Sequence, residues 1–389
     1  MQKYFSFLRN KGNTNRSLII LFLSFALIFF VAYILVKPIP EEAITAEEYA
    51  EYETATVTSI LSDTTEQDLS FENNWRGEQL LIVEVTSGQY KGQSMQVSNY
   101  VGPLYSVPLE VGNSAVIIIS TYKDGTHLGT IFEYNRSIPI CIILFLFMLA
   151  IISIGGKTGV KSLLGLLFTL AVLFYIWIPS LMKGAPTLLA TFLICAYITV
   201  VNFAILHGLS GKSLCAMLGT ISGTGLAMLF AMLSQMLLRI NGMRIPDAEA
   251  LLLLQQTGTP IRISGLLVAG VIISTLGAVM DVAMSISSAL TEVYAANPAL
   301  SRKELIRSGV NIGQDMVGTM TNTLILALLG SDTVLIIYLY SLSLSTNQLL
   351  SSSYLAIEVV SSISSSIGVI LAVPVTILIS SFALTKQHT

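Results

Sequence analysis

Charge is scarce in this chain. Asp, Glu, Lys and Arg make up 11% of its 389 residues, against roughly 25% in an ordinary soluble domain, while apolar types reach 53% and the mean hydropathy is +0.75. That balance argues against a water-soluble globule and predicts a polytopic membrane protein. Cysteine is nearly absent: Cys141, Cys195 and Cys215 all lie in apolar runs without CxxC spacing, so neither a disulfide framework nor a zinc site is expected. His127, His207 and His388 are too scattered for a metal triad. HExxH and GxSxG are missing, and "GGKTG" and "GLSGKS" lack the first glycine of a phosphate loop at the required spacing. No catalytic residue, metal, cofactor or nucleic-acid partner is therefore expected, and the chain is not read as an enzyme.

What the chain has is long apolar runs. The first, Ser17 to Val36, follows Lys3, Arg9, Lys11 and Arg16 and can cross a bilayer core of ~30 Å. It is longer than a signal-peptide core and lacks a small-x-small cleavage pattern, which predicts an uncleaved anchor. Seven further spans are expected at about 138–155, 162–179, 187–206, 213–237, 263–285, 316–342 and 359–383, giving about eight. The one at 316–342 is expected to break or re-enter at Gly330-Ser331-Asp332. Eleven Lys and Arg fall on the side of the N-terminus and four in the membrane loops of the other side, which predicts both termini in the cytoplasm of a bacterial plasma-membrane protein.

Residues 38–136 read differently. They hold 15 of the 23 acids against four bases, and alternate apolar and polar residues in "TATVTSIL", "EQLLIVEVTSGQYKGQSMQVSNYV" and "NSAVIIISTYKDGTHLGTIFEY". Turns are expected at Ser87-Gly88, Lys91-Gly92 and Asp124-Gly125. About five short strands in some 100 residues predict a small extracytoplasmic all-β domain, an OB-like barrel. It is inserted between the anchor (1–37) and a multi-span all-α helical bundle (137–389). The acidic stretch "EEAITAEEYAEYE" is read as a solvated surface, with cation capture as its alternative.

Outside that domain only eight acids remain, and their placement is regular. Gly270, Ser274, Gly277, Asp281, Ser285, Ser288 and Glu292 step by three or four residues and fall within a sector of roughly 80° on a helix. After Asn297-Pro298, "SRKE" at 301–304 is a capping box that predicts a helix start. The helix then carries Asn311, Asp315, Gly318 and Asn322 at the same spacing, bordered by Thr319. Glu358, Ser361, Ser365, Gly368 and Ala372 form a third such row. An ionised Asp at the bilayer centre costs about 2.5–3.5 kcal/mol on insertion scales, so each carboxylate needs a partner, water or a shallow position. One reading is a pathway for an ion or small solute using Asp281, Ser285, Ser288, Glu292, Asn311, Asp315, Thr319, Asn322 and Glu358. The other is that the same groups bond one another and lock the helices together. Gly219, Gly223, Ala227 and Ala231, together with Gly270, Gly277, Gly318 and Gly368, are expected to let helices pack closely.

The stretch "LGAVMDVAMSISSALTEV…NPALSRKELIRSGVNIGQDMVGTMTNTLILALLGS" and the closing "SSIGVILAVPVTILIS" resemble the YibE/F family of bacterial polytopic membrane proteins from about residue 138 onward. "VEVTSGQYKGQSMQVSN" is similar to the extracytoplasmic stretch of members that carry one. The resemblance implies a multi-span plasma-membrane protein without an assigned activity. Where the family pattern has "GRDIMGT" this chain has "GQDMVGT", so Gln314 replaces a basic residue and an Arg–Asp pair at Asp315 is not expected. Two functions stay open: a permease, or a receptor or assembly factor that binds a partner through the barrel. The expected partners are the lipid bilayer, an ion or small solute, and a second copy or related membrane subunit.

Overall fold

Strand alternation places every second residue of 81–85 and 115–119 on one side, and these close around a common core. In the structure, a computed structural model that describes Ser24 and residues 49–72, 74–121, 127–240, 248–256 and 258–385, they do so as a barrel. The strands are β1 (Tyr49–Asp63), β2 (Glu66–Asp68), β3 (Asn74–Val85), β4 (Ser94–Val101), β5 (Ser114–Thr121) and β6 (His127–Tyr134). Their order is β1-β5-β6-β4-β3-β2, and pairing of β1 with β3 closes the ring, leaving β2 as a short hairpin strand on β3. The long β1 serves both sides: Tyr49–Thr56 pair with β5 and Ala55–Asp63 with β3. β4 and β6 run parallel, and at that junction a Cβ on Gly129 would lie 2.6 Å from Val97 Cγ1, so only glycine allows the approach.

Leu81, Val83, Val85, Val97, Leu109, Ala115, Ile117, Ile119 and Ile131 fill the interior. One end is polar. Gln79 and Asn99 are 1% and 0% exposed; the Gln79 amide donates to Asp63 Oδ2 (2.8 Å), and its oxygen accepts from Leu109 N and Asn99 Nδ2 (2.9 Å each). The predicted turns at Gly88 and Gly92 are present, both glycines having positive φ. The turn expected at Asp124-Gly125, the anchor at 17–36 apart from Ser24, and most of the acidic stretch lie outside the described residues.

The helices are α1 (Ser137–Val172), α2 (Ile178–Met182), α3 (Thr187–Leu206), α4 (Gly211–Leu237), α5 (Ala248–Gln256), α6 (Leu266–Ala296), α7 (Arg302–Ser331), α8 (Thr333–Ser341), α9 (Thr346–Leu350) and α10 (Ser353–Thr385). Five helical runs among the described residues are long and apolar enough to cross a membrane, or six if α7 and α8 count as one bent span. The spans expected at 138–155 and 162–179 correspond to two helical stretches of the run Ser137–Met182, separated by a kink at Gly156, where the backbone is not helical (φ 52°, ψ −130°). The apolar sequence continues past the break, and glycine supplies the positive φ that a residue with a Cβ resists. Ile138 to Ala150 are all exposed. The described residues divide into two compact units between Ser153 and Ile154.

Helix ends follow the local chemistry. Ser301 and Glu304 form the predicted capping box at the start of α7, and Ser345 with Gln348 makes a second one before α9. α4, α6 and α10 pack tightly because small residues face one another. A Cβ on Gly223 would sit 2.6 Å from Ala372 Cβ and 2.9 Å from Val279 Cγ1, one on Gly368 2.7 Å from Ala227 Cβ, and one on Gly219 2.1 Å from Thr376 Oγ1. Around these points Val279, Val282, Ile286, Leu290, Leu305, Val369, Ala372, Val373 and Ile377 form one apolar cluster joining α6, α7 and α10.

Two tests follow from this packing. Gly223→Leu is expected to lower stability by about 1–3 kcal/mol through overpacking, whereas Gly330→Ala, whose Cβ meets nothing within 4 Å, is neutral or stabilises by up to ~1 kcal/mol; thermal unfolding in detergent reads both. In the barrel, hydrogen bonds from the Thr65 hydroxyl, Gln79 and the Thr65 N–H hold the Asp63 pKa below its ordinary value of 3.8. A depressed folded-state pKa stabilises the domain above the unfolded value and loses that contribution as pH falls through the folded one. The denaturation midpoint followed by Trp75 fluorescence should therefore drop below about pH 4, and Asp63→Asn should make that drop shallower.

Candidate functional site

α6 is a helix turned inside out. Its apolar side, with Val268, Ile272, Val279, Val282, Ile286 and Leu290, is buried against protein. Gly270, Ser274, Gly277, Asp281, Ser285 and Glu292 are exposed, and Ser288 is half-buried. The row predicted from spacing is thus a continuous face, and it opens outward from the chain. Among the described residues a Cβ added at Gly270 or Gly277 would meet nothing within 4 Å, so neither glycine makes a close helix contact there. Ser274 alone reaches across, its hydroxyl 3.3 Å from that of Ser365 on α10.

α7 repeats the arrangement. Leu305, Gly309 and Gly313 are buried, the two glycines against Ile377, Val373 and Leu290. Asn311, Asp315, Gly318, Thr319 and Asn322 all lie exposed on the other side. Gly318 too has open space where a Cβ would go, a second departure from its expected packing role. Arg307 shares this face, because 307, 311, 315, 318 and 322 step by four or three residues. Spacing could have revealed it, but the basic residue read first as a topology signal. Among the described residues, Asp281, Glu292, Arg307 and Asp315 have no side-chain hydrogen bond or ion pair. The Thr319 hydroxyl donates to backbone carbonyls of its own helix, Asp315 O among them at 3.2 Å.

The third row behaves differently along its length. Ser365 is 0% exposed, and Gly368 and Ala372 form the tight seam with α4, so this lower part is buried between helices. Glu358, at the upper end, is half-buried, and its carboxyl lies near enough to that of Asp332 for the two to interact. Asp332 occupies the break between α7 and α8, where the chain bends by 62°. The predicted interruption at Gly330-Ser331-Asp332 is therefore present. Its pairing with Glu358 was not legible from spacing, because the two residues belong to different helices. Two carboxyl groups so placed can be joined by a proton or a cation. The described surface also has a shallow depression of about 320 Å³ on α1, lined by Ser137, Ile138, Cys141, Ile142 and Phe145, which has no carboxylate.

The sequence model of the family described as YibE/F-like protein matches residues 143–386, more than half of the chain and all of α3 to α10. Neither a curated protein nor a solved structure matches the chain.

If Glu358 and Asp332 act as a joined pair, the substitutions Glu358→Gln and Asp332→Asn should be non-additive. Their double-mutant cycle is expected to give a coupling of about 0.5–3 kcal/mol in thermal unfolding, against near-additivity within ~0.5 kcal/mol for Glu358→Gln with Asp63→Asn, which belongs to the other compact unit.

Proposed function

We propose that this chain, which belongs to the YibE/F-like family, is a multi-span protein of the bacterial plasma membrane that conducts an ion or small solute along the polar faces of α6 and α7. The observation that carries the reading is the inverted burial of α6: its apolar side is in the protein and its carboxylate side is open. A polar helix face with two carboxylates is costly against lipid, so it must border water or other polar groups. Asp281 and Asp315 are the cation or proton sites of this proposal, with Ser285, Thr319 and Asn322 as neutral ligands and Glu292, Ser288, Asn311 and Glu358 farther along. The protein acts without catalysis. The distribution of Lys and Arg supports cytoplasmic termini and an extracytoplasmic 38–136.

A second reading has its own observation. Leu69, Tyr100, Leu104 and Tyr105 are 55–92% exposed, and together with Trp75 they gather where β2, the start of β3 and the end of β4 meet. The OB-like reading of the barrel, supported by the shared β1 and the parallel β4–β6 pair, makes this a surface for a protein partner, with the helices as a scaffold.

Flux of labelled cations and small solutes into proteoliposomes separates the two. Asp281→Asn and Asp315→Asn should abolish flux while melting like the parent, and a transported solute should raise the parent's unfolding midpoint, by ~2.7 kcal/mol at 100 times its dissociation constant. Variants that merely unfold earlier, with no solute stabilising the parent, would sink the carrier reading. Loss of cellular activity on deleting 38–136, with both Asn variants active, would favour the receptor.

A further inference from the structure

The two polar faces do not meet within one chain. On α7 the face lies opposite the buried Leu305, Gly309 and Gly313, which carry the contacts to α10 and to Leu290 of α6. A conduit built on these faces is therefore missing a wall. The missing wall is not lipid, for the cost already given. Nor does the apolar run 17–36 suit it, since that segment has no charged residue to pair with a carboxylate.

The faces do suit each other. The α6 face presents acceptors, Asp281 and Glu292, while the α7 face presents, beside the carboxylate of Asp315, the guanidinium of Arg307 and the amides of Asn311 and Asn322. Their depths also match. A Cβ on Gly309 would lie 3.2 Å from Leu290 Cδ2, which sets those two residues level. Glu292 lies two residues past Leu290 and Arg307 two before Gly309, and the five-residue connection 297–301 makes the helices antiparallel neighbours. Fifteen residues along each helix, ~22 Å at 1.5 Å per residue, come Gly277 and Asn322. Asp281, eleven residues from Glu292, is likewise level with Gly318. Rotation about an axis along the membrane normal preserves depth, so it lets the α6 residues of one copy meet their α7 counterparts in the next, head to tail.

We propose that a second copy of this chain completes the conduit, with α6 of one copy facing α7 of the other. Glu292 then pairs with the partner's Arg307, and Asp281 faces Gly318 and Asn322 of the partner subunit across a polar seam. Small residues on the α6 face, Gly270, Ser274 and Gly277, allow the close approach. The inference rests on reading the two faces as conduit walls, but its test measures assembly rather than transport.

The experiment uses two differently tagged full-length copies in native membranes, both with the exposed Cys141 replaced by Ser. One has Gly277→Cys and the other Asn322→Cys, and the membranes are oxidised. A disulfide-linked species with both tags is expected. Replacing Gly277→Cys by Leu229→Cys, at a 52% exposed position of α4, should abolish it. Glu292→Arg in both copies should reduce the adduct at least several-fold, and adding Arg307→Glu to both should restore it. Absence of the two-tag species from copies that melt like the parent overturns the proposal, as does equal linkage through Leu229→Cys. Linkage of Gly277→Cys to a foreign protein, or to Ala26→Cys within one copy, would seat another occupant on the face and overturn it too. Two-tag linkage in a protein that moves no solute would leave the assembly standing and reject the conduit; carboxylate-dependent flux without linkage would do the reverse.

Discussion

The contact of α4 with α10 constrains the rest of the helical unit. Gly223 and Gly368 face Ala372 and Ala227 so closely that their backbones leave no room for another carbon. For helices in a bilayer, as proposed for these, apolar burial supplies little net drive, and shape-matched contact between small residues carries the association. Once α4 and α10 meet this way, Val279 and Thr275 of α6 are drawn into the same seam. The rotation of α6 about its axis is then fixed. Its valines and isoleucines point inward, and the carboxylates are left outside.

Much of this was legible in the sequence, for a physical reason in each case. Period-two alternation and glycine turns announced a small barrel, and five strands close one. The Ser301–Glu304 box marked the start of α7 because capping is a local exchange of hydrogen bonds. The carboxylate rows on α6 and α7 were visible because helical geometry alone places residues on a face. What lay beyond the sequence was which way a face turns. Gly219, Gly223 and Gly277 look alike as small residues at helical spacing. The first two meet other helices and the third meets open space, and only tertiary packing distinguishes them. The kink at Gly156 was legible because Gly155-Gly156 and the lysines that follow separate two apolar runs, and helix resumes beyond it.

The family match begins at residue 143, so it covers α3 to α10 and leaves the barrel aside. The two compact units thus differ in kind as well as in composition. The bend at Asp332 and both polar faces lie within the matched residues. The barrel strands lie outside them.

The polar end of the barrel bears on what that domain is able to hold. Gln79 and Asn99 cross-link Asp63, Val107 and Leu109 through bonds of 2.8–3.2 Å, and the aliphatic side chains of β3, β4 and β5 fill the space behind them. The interior is occupied by the protein's own side chains, like a cask packed solid. It has no lumen to lend to a cargo molecule, so whatever this domain recognises must be read on its outer skin, by shape and charge presented from a rigid body.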